Sequence, residues 1–209
     1  TGLIDLTGVT VATTLSGVAA GNNTLTGGTG NDTITGGAAA DTITGAAGAD
    51  NLDGGAGNDT FLYATSAAFM DNAGNAVVDS INDAAGTADR VVITGAISID
   101  ATDDLARAEG IEQIVAATVA DDANAGTGGL VHSIVIDSDA ELNDVRTINF
   151  AGSADAQTTG LIDLTGVTVA TTLSGVAAGN NTLTGGTGND IITGGAAADT
   201  ITGAAGADN

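Results

Sequence analysis

A nine-residue period constrains this chain more than any other feature. From Val18 the blocks are VAAGNNTLT, GGTGNDTIT, GGAAADTIT, GAAGADNLD and GGAGNDTFL, and the series resumes at Val176. The eighth position is always apolar, and the sixth is always Asp or Asn. Gly-rich hexads accept tight turns, whereas the triad after each hexad is a short strand with one aliphatic side chain directed inward. The period therefore predicts a solenoid in which two successive blocks form one coil.

A longer repeat encloses the short one. Residues 1–51 recur as residues 159–209, at an offset of 158, with Ile191 in place of Thr33. Such near-identity is typical of tandem copies, so we interpret the chain as a window on a longer array. The predicted units are the end of a β-helix segment (1–17), a β-roll (18–62), an irregular β-helix-like segment (63–158), and the next copy (159–209) with its roll from 176.

The segment between the rolls has a residue pattern that is typical of a solenoid. Short β-like runs alternate with clusters of Gly, Asn and Asp, which is compatible with parallel β-helix coils. One short helix is expected at Asp103–Glu109, with Thr102 as its N-cap and Gly110 after its end. The predicted fold class is all-β, a parallel β-roll or right-handed parallel β-helix solenoid with one short helix. The predicted strands are Val91–Ile93, Ile111–Val115, Ser133–Ile136, Thr147–Phe150, Leu161–Leu164 and Val169–Leu173.

The charge balance excludes several classes of partner. Lys+Arg total 3 against 26 Asp+Glu, a net charge of −23, so phosphate backbones and anionic membranes would be repelled. Neither nucleic-acid binding nor membrane insertion is expected, and no apolar run reaches the ~18 residues of a membrane span. Cysteine is absent, which rules out disulfides, thiolate nucleophiles and Cys-type zinc sites. Metal cations are the favoured ligands.

Stacking of the coils would place like charges together. Asp32 would lie next to Asp50, and Asp41 next to Asp59, at the ~4.8 Å spacing of neighbouring strands. Such columns repel one another without a cation. Ca²⁺ suits them because it takes six to eight oxygens, backbone carbonyls included, in flexible geometry.

The blocks resemble the RTX nonapeptide GGxGxDxUx, the calcium-binding β-roll repeat of bacterial proteins secreted by the type I route. The resemblance implies that the second and fourth carbonyls and the Asp of one block share an ion with the first and third carbonyls and the Asp of the next block but one. The implied ligand sets are Gly28, Gly30 and Asp32 with Gly45, Ala47 and Asp50; Gly37, Ala39 and Asp41 with Gly54, Ala56 and Asp59; and Gly186, Gly188 and Asp190 with Gly203, Ala205 and Asp208. A third kind of site would join Ala19, Gly21 and Asn23 to Gly36, Ala38 and Asp41, with a counterpart at Asn181 and Asp199.

Two departures from the pattern qualify this assignment, and a further group of acids follows the last block. Asn at 23 and 181 removes one negative charge, which predicts a weaker ion there. Ala39 and its copy Ala197 replace the fourth glycine, which strains the turn if φ is positive at that position. Acids after the last block, Asp79, Asp83 and Asp89, are interpreted as a solvated acidic loop, with a further ion site as the alternative that the resemblance suggests.

Catalytic chemistry is not expected. His132 is the only histidine and is interpreted as a strand residue, and without a second His or any Cys the usual nucleophile triads cannot form. The chain has no GxSxG elbow and no GxxxxGK[ST] phosphate loop. Few glutamates and few aromatic residues argue against a glycosidase or lyase. The sequence predicts a protein that is not an enzyme.

Three functions remain, all of them secreted and extracellular. The favoured one is a calcium-stabilised structural repeat at the bacterial surface whose copies assemble into a surface layer, sheath or filament, with cell-surface polysaccharide as a further candidate partner. A looser resemblance to modules of RTX-type surface-layer proteins, over residues 88–118 and 162–175, supports this function. The alternatives are the spacer of a giant RTX adhesin and, ranked lowest, the secretion and folding module of an RTX exoenzyme or toxin.

Overall fold

The computed structural model describes residues 1–64, 79–83, 85–95, 97–99, 108–116, 131–136, 145–151 and 158–209. Within these ranges the chain forms short strands and no helix, so no helix there could cross a membrane. The strands are β1 (Gly2–Asp5), β2 (Thr14–Ser16), β3 (Asn23–Thr26), β4 (Thr33–Gly37), β5 (Thr42–Thr44), β6 (Asn51–Gly55), β7 (Thr60–Tyr63), β8 (Ser80–Asn82), β9 (Arg90–Ile93), β10 (Ser98–Ile99), β11 (Ala108–Glu109), β12 (Gln113–Ala116), β13 (Val131–Val135), β14 (Thr147–Asn149), β15 (Thr159–Asp163), β16 (Thr172–Ser174), β17 (Asn181–Thr184), β18 (Ile191–Thr193) and β19 (Thr200–Thr202).

The strands form three parallel sheets. The long sheet has nine strands in the order β1-β3-β5-β7-β9-β12-β14-β16-β18. The first short sheet has the order β11-β8-β6-β4-β2, and the second short sheet β10-β13-β15-β17-β19. In the two rolls successive strands alternate between the long sheet and one short sheet, so each coil contributes one strand to each. The chain is therefore an all-β parallel β-roll solenoid.

The register confirms the predicted coil. Leu25 pairs with Ile43, and Ile34 pairs with Leu52, in each case two blocks further along the chain. The next coils are longer, because Leu52 pairs with Ile81 and Phe61 pairs with Val91. The strand pairing therefore continues without a break from the roll to the later coils.

A single file of inward side chains forms the core of the roll. Leu25, Ile34, Ile43, Leu52 and Phe61 all have 0% of their surface exposed, while the residues on either side of them in the strands face outward. Each such burial stabilises the fold by roughly 1.5–3 kcal/mol. Because every strand contributes one layer to the file, a chain that is only 2% aromatic can build a continuous core.

The predicted helix is wrong where it can be checked. Residues 103–107 lie outside the described residues, but Ala108 and Glu109, its last two residues, form β11 and pair in parallel with β8. The Ala108 side chain is 1% exposed, so burial in the core file outweighs the local capping signal.

The strand predictions are confirmed with shifted ends. Strands occur at β9, β12, β13, β14, β15 and β16, although β12 begins only at Gln113 and β16 only at Thr172. Three described strands between the rolls were not predicted as strands. They are β8 and β10, each with a single apolar residue between polar ones, and β11, which was expected to be helical.

Equivalent strands of the two sequence copies lie on opposite sides of the solenoid. Strand β3 belongs to the long sheet, whereas its copy β17 belongs to the second short sheet. Conversely, β4 belongs to the first short sheet and its copy β18 to the long sheet. Along the long sheet β16 lies seven strands, and hence seven coils, after β1. Strand β16 is the copy of β2, and β2 itself lies half a coil after β1. The 158-residue repeat therefore spans six and a half coils, or about 31 Å at the usual strand spacing.

Candidate metal centre

Two columns of polar side chains run along the turns of the first roll. In the first column the backbone N–H of Asp32 donates to Asp50 Oδ1 at 2.7 Å, and that of Asp50 donates to Asp79 Oδ1 at 2.8 Å. Each carboxylate is thus held by the backbone of the coil before it. This stacking of Asp32 on Asp50 was predicted, whereas its extension to Asp79 was not.

The second column contains one amide and four acids. The backbone N–H groups of Asn23, Asp41 and Asp59 donate to Oδ1 of the next member at 2.6 Å each. Asp89 is the acceptor for Asp59, and the Asp89 N–H donates in turn to Glu112 Oε2 at 2.8 Å. The hydrogen-bonded column thus continues beyond the last nonapeptide block.

Most of these carboxylates have a hydrogen-bond donor for only one of their two oxygens. The Oδ2 atoms of Asp41, Asp50 and Asp59 are buried and have no hydrogen-bond partner in the described part of the chain, and the same is true of Asp79 and Asp89. Asp32 differs, because its Oδ2 accepts the N–H of Gly28 at 2.7 Å. A buried anionic oxygen without a donor is costly, so these atoms require a cation or a proton.

The pKa values change along the roll. Burial raises the pKa of Asp59 to about 6 and those of Asp79 and Asp83 to about 7. At Asp32 burial acts in the same direction, but donation from the Gly28 N–H and from Thr13 outweighs it and lowers the pKa. Uncompensated charge is therefore concentrated at the end of the roll.

The glycine turns leave room for an ion with oxygen ligands. A Cβ at Gly27 would collide with both Asp32 Oδ2 and the carbonyl oxygen of Gly45 in the next coil. A Cβ at Gly36 would likewise collide with Asp41 Oδ2 and the carbonyl oxygen of Gly54. Carboxylate and carbonyl oxygens thus converge beside each of these glycines, and beside Gly36 the carboxylate oxygen, Asp41 Oδ2, has no donor among the described residues. This set of hard oxygen donors fits Ca²⁺.

The three predicted Asp–Asp ligand sets are each brought together in adjacent coils. Asp32 contacts Asp50, Asp41 contacts Asp59, and the Asp190 N–H donates to Asp208 Oδ1 at 3.0 Å. The second-position carbonyls of these sets also accept one inter-coil hydrogen bond each and keep a second lone pair. These bonds are Ala47 N to Gly28 O, Ala56 N to Gly37 O and Ala205 N to Gly186 O.

The expected strain lies at a different position. Ala39 and Ala197, which replace the fourth glycine, do not have positive φ. Instead Ala46 and its copy Ala204, at the second position of the following block, have φ values of 76° and 66°. The left-handed conformation costs a non-glycine residue roughly 1–2 kcal/mol.

The predicted site at Asn23 differs from the Asp–Asp sites, because an amide nitrogen contacts its ligand oxygens. The Asn23 amide nitrogen lies 3.2 Å from the Gly36 carbonyl and 2.9 Å from Asp41 Oδ1, two of the predicted ligand oxygens. The Ala19 carbonyl accepts the Ala38 N–H at 2.8 Å. In the copy the Asn181 amide nitrogen has equivalent contacts with Gly194, at 3.0 Å, and Asp199, at 2.7 Å.

The solvated acidic loop is a wrong interpretation. Asp79, Asp83 and Asp89 are 2%, 1% and 0% exposed, so all three are buried. Asp79 and Asp89 continue the two columns although no glycine hexad precedes them. The signal that sequence analysis missed is an Asp two residues before an inward apolar residue, as in Asp79-Ser80-Ile81 and Asp89-Arg90-Val91.

His132 is a strand residue, as predicted. It lies in β13 with its ring 5.1 Å from that of Phe150, and its Nδ1 accepts the N–H of Ile97 at 3.2 Å. Burial lowers the pKa of the imidazole. The side chain is therefore a neutral part of the core.

The fold and the columns define a β-roll solenoid whose turns are suited to calcium. The family model described as the RTX calcium-binding nonapeptide repeat (4 copies) matches residues 19–52, 26–61 and 177–209. The chain carries RTX repeats, and repeats of this kind bind calcium. No curated protein and no solved structure matches the chain significantly.

Proposed function

We propose that this chain is part of a secreted structural protein whose calcium-stabilised rolls assemble into a surface layer, sheath or filament. The observation that carries the proposal is the long sheet, which runs through both copies. Strand β12 pairs with β14 and β14 with β16, so the second copy adds to the solenoid without an intervening linker.

The coverage of equivalent side chains in the second copy supports this continuity. Val18 is 57% exposed, whereas its copy Val176 is 0% exposed. Leu3 is 76% exposed, whereas its copy Leu161 is partly covered in β15, which pairs with β13. In an array, the equivalent of β13 and β14 from the preceding copy would cover the first coil in the same way.

The half-coil phase determines how an array would present its surfaces. Each copy advances six and a half coils, so any outward side chain recurs on the other side of the core in the next copy. Two copies restore the original side after about 62 Å. Such a rod can make identical lateral contacts on both sides, which is what a sheet of rods requires.

Calcium is proposed to bind at the pairs Asp32–Asp50, Asp41–Asp59 and Asp190–Asp208. When bound, it would neutralise the Oδ2 atoms of Asp41, Asp50 and Asp59, which lack donors. Asp32 Oδ2 and Asp190 Oδ2 each also accept a backbone N–H. The glycine turns supply the neighbouring carbonyls, and the core file fixes the distance between coils. Binding energy then becomes folding energy, so the rolls fold where calcium is abundant outside the cell.

Electron microscopy of an array of several 158-residue units tests the proposal, in EGTA and in millimolar Ca²⁺. We expect ordered sheets or fibres that appear only with calcium and that repeat along the rod every two copies. Separate stiff rods would favour the second candidate, the adhesin spacer, which the uninterrupted long sheet also supports. Flexible chains of separate beads in calcium would overturn both.

A further inference from the structure

We propose a further calcium site formed by Asp59, Asp83 and Asp89, where the first roll passes into the longer coils. One carboxylate oxygen from each residue lies within 4.8 Å of the other two. Only Asp59 belongs to a nonapeptide block, since the RTX match over the first roll ends at residue 61 and the next match begins at residue 177. The site therefore extends calcium binding into a part of the chain that the repeat does not cover.

Asp83 provides the strongest evidence for a bound cation. It is 1% exposed, and neither of its carboxylate oxygens makes a well-formed hydrogen bond in the part of the chain that the structure describes, although the backbone N–H of Ala85 approaches the carboxylate. Its Oδ2 shares the space beside Gly54 with Asp59 Oδ2, and a Cβ at Gly54 would collide with both atoms. Unlike Asp59 and Asp89, Asp83 contributes no oxygen to the backbone ladder.

Among the described residues, no ion pair joins a basic side chain to Asp59, Asp83 or Asp89. Arg90 directly follows Asp89, but it is exposed and its Nε donates to Thr60 Oγ1 at 3.0 Å. Three buried carboxylates offer up to six oxygens, and Asp59 and Asp89 each keep Oδ2 unused. Ca²⁺ suits this set better than Mg²⁺, which demands near-ideal octahedral geometry and dehydrates reluctantly.

Asp83→Asn tests the site, with Glu109→Gln as the control. Both variants remove one negative charge, but Glu109 is exposed. Native mass spectrometry of the 209-residue chain in calcium should show one bound ion fewer for Asp83→Asn and no change for Glu109→Gln. The calcium concentration at the folding midpoint should rise several-fold for Asp83→Asn only.

An ion site and a merely buried acid predict opposite effects of Asp83→Asn on the calcium concentration needed for folding, so the test distinguishes them. If Asp83 is merely a buried acid beside like charges, Asp83→Asn removes repulsion, and the chain folds at the same or a lower calcium concentration with an unchanged ion count. That outcome would overturn the site. If Asp83→Asn does not fold, Asp89→Asn, which keeps an Oδ1 acceptor for the Asp59 N–H, should lose one ion, and an unchanged count would again overturn it.

From a separate observation we infer that the turns closed by Asn23 and Asn181 bind no ion, because the side-chain amide nitrogen occupies the position that the ion would take. The backbone N–H of Val18 donates to Asn23 Oδ1 at 2.9 Å, and that of Val176 donates to Asn181 Oδ1 at 2.7 Å. These bonds fix which end of each amide is the oxygen. The NH₂ group must then face the carbonyl and carboxylate oxygens of the next coil.

The same arrangement occurs in both copies, although they belong to different sheets. Asn23 Nδ2 has three oxygens within 3.2 Å, from Val18, Gly36 and Asp41. Asn181 Nδ2 has four within 3.1 Å. Oxygens that would surround a cation elsewhere in the roll surround a neutral donor here. The coil is therefore closed without calcium.

Asn23→Asp tests this inference, with Asn22→Asp as the control, since the Asn22 side chain is exposed. Asn23→Asp replaces the donor by an acceptor without changing the size of the side chain. We expect one additional bound ion for Asn23→Asp and for Asn181→Asp, and none for Asn22→Asp. An unchanged ion count for both buried variants would show that the amide does not exclude the ion.

Discussion

The two ends of the first roll solve the same problem in different ways. At its start, Asn23 and Asp32 find protein donors or acceptors for both side-chain atoms. At its end, Asp59 and Asp83 keep buried oxygens without donors, and burial raises their pKa values to about 6 and 7. The backbone ladder is the same in both places. The difference teaches that these turns need a compensating group beside the oxygens, and that an amide, an N–H or a cation can each supply it.

The largest expected effect comes from removing an acid at the end of the roll. Asp59→Ala deletes the acceptor of the Asp41 N–H and a proposed ligand of two ions, so we expect a loss of about 3 kcal/mol at saturating calcium. The calcium dependence of folding should also become less steep. Chemical denaturation at several calcium concentrations measures both quantities.

Asn23→Ala is the matched change at the start of the roll. It also removes buried hydrogen bonds and should cost about 2 kcal/mol, but the number of ions bound on folding should not change. Equal losses of ions in Asp59→Ala and Asn23→Ala would remove the distinction between the two ends.

Acid should partly replace calcium at the end of the roll. Because the pKa values of Asp59, Asp79 and Asp83 are raised above those of the unfolded chain, the folded state binds more protons. The stabilising contribution of these three groups to the calcium-free roll is then fully present below about pH 4 and is lost as the pH rises through 6 to 7. Circular dichroism in EGTA should show β-structure that is greater at pH 5 than at pH 7.5. β-structure that instead decreases on acidification in EGTA would contradict the assignment.

The smallest expected effect concerns the backbone between the two ends. Ala46→Gly relieves a φ of 76° and should stabilise the roll by about 1 kcal/mol, and Ala204→Gly should act similarly. Ala39→Gly is the control, since φ is not positive there, and it should be neutral or slightly destabilising. Thermal unfolding in saturating calcium separates the variants, and equal shifts would show that the strain is elsewhere.

The nine-residue period was sufficient to predict the coil, the inward file from Leu25 to Phe61 and the stacking of Asp32 on Asp50. It was sufficient because in a solenoid each residue's neighbours lie one coil away, at a fixed distance in sequence. Between the rolls that distance varies, so Asp89 stacks on Asp59 across 30 residues and could not be located by spacing. The amide contacts of Asn23 were also out of reach, because they depend on which side of the turn each carbonyl faces.

The most direct test of the central claim is a calcium titration of the 209-residue chain at pH 7.5, followed by circular dichroism and by native mass spectrometry. The claim is that neutralisation of the buried carboxylate columns drives the roll to fold. We predict little native β-structure in EGTA and a cooperative gain of β-structure as ions bind at the Asp-closed turns. A chain with the same β-structure and the same thermal stability in EGTA as in calcium would contradict it.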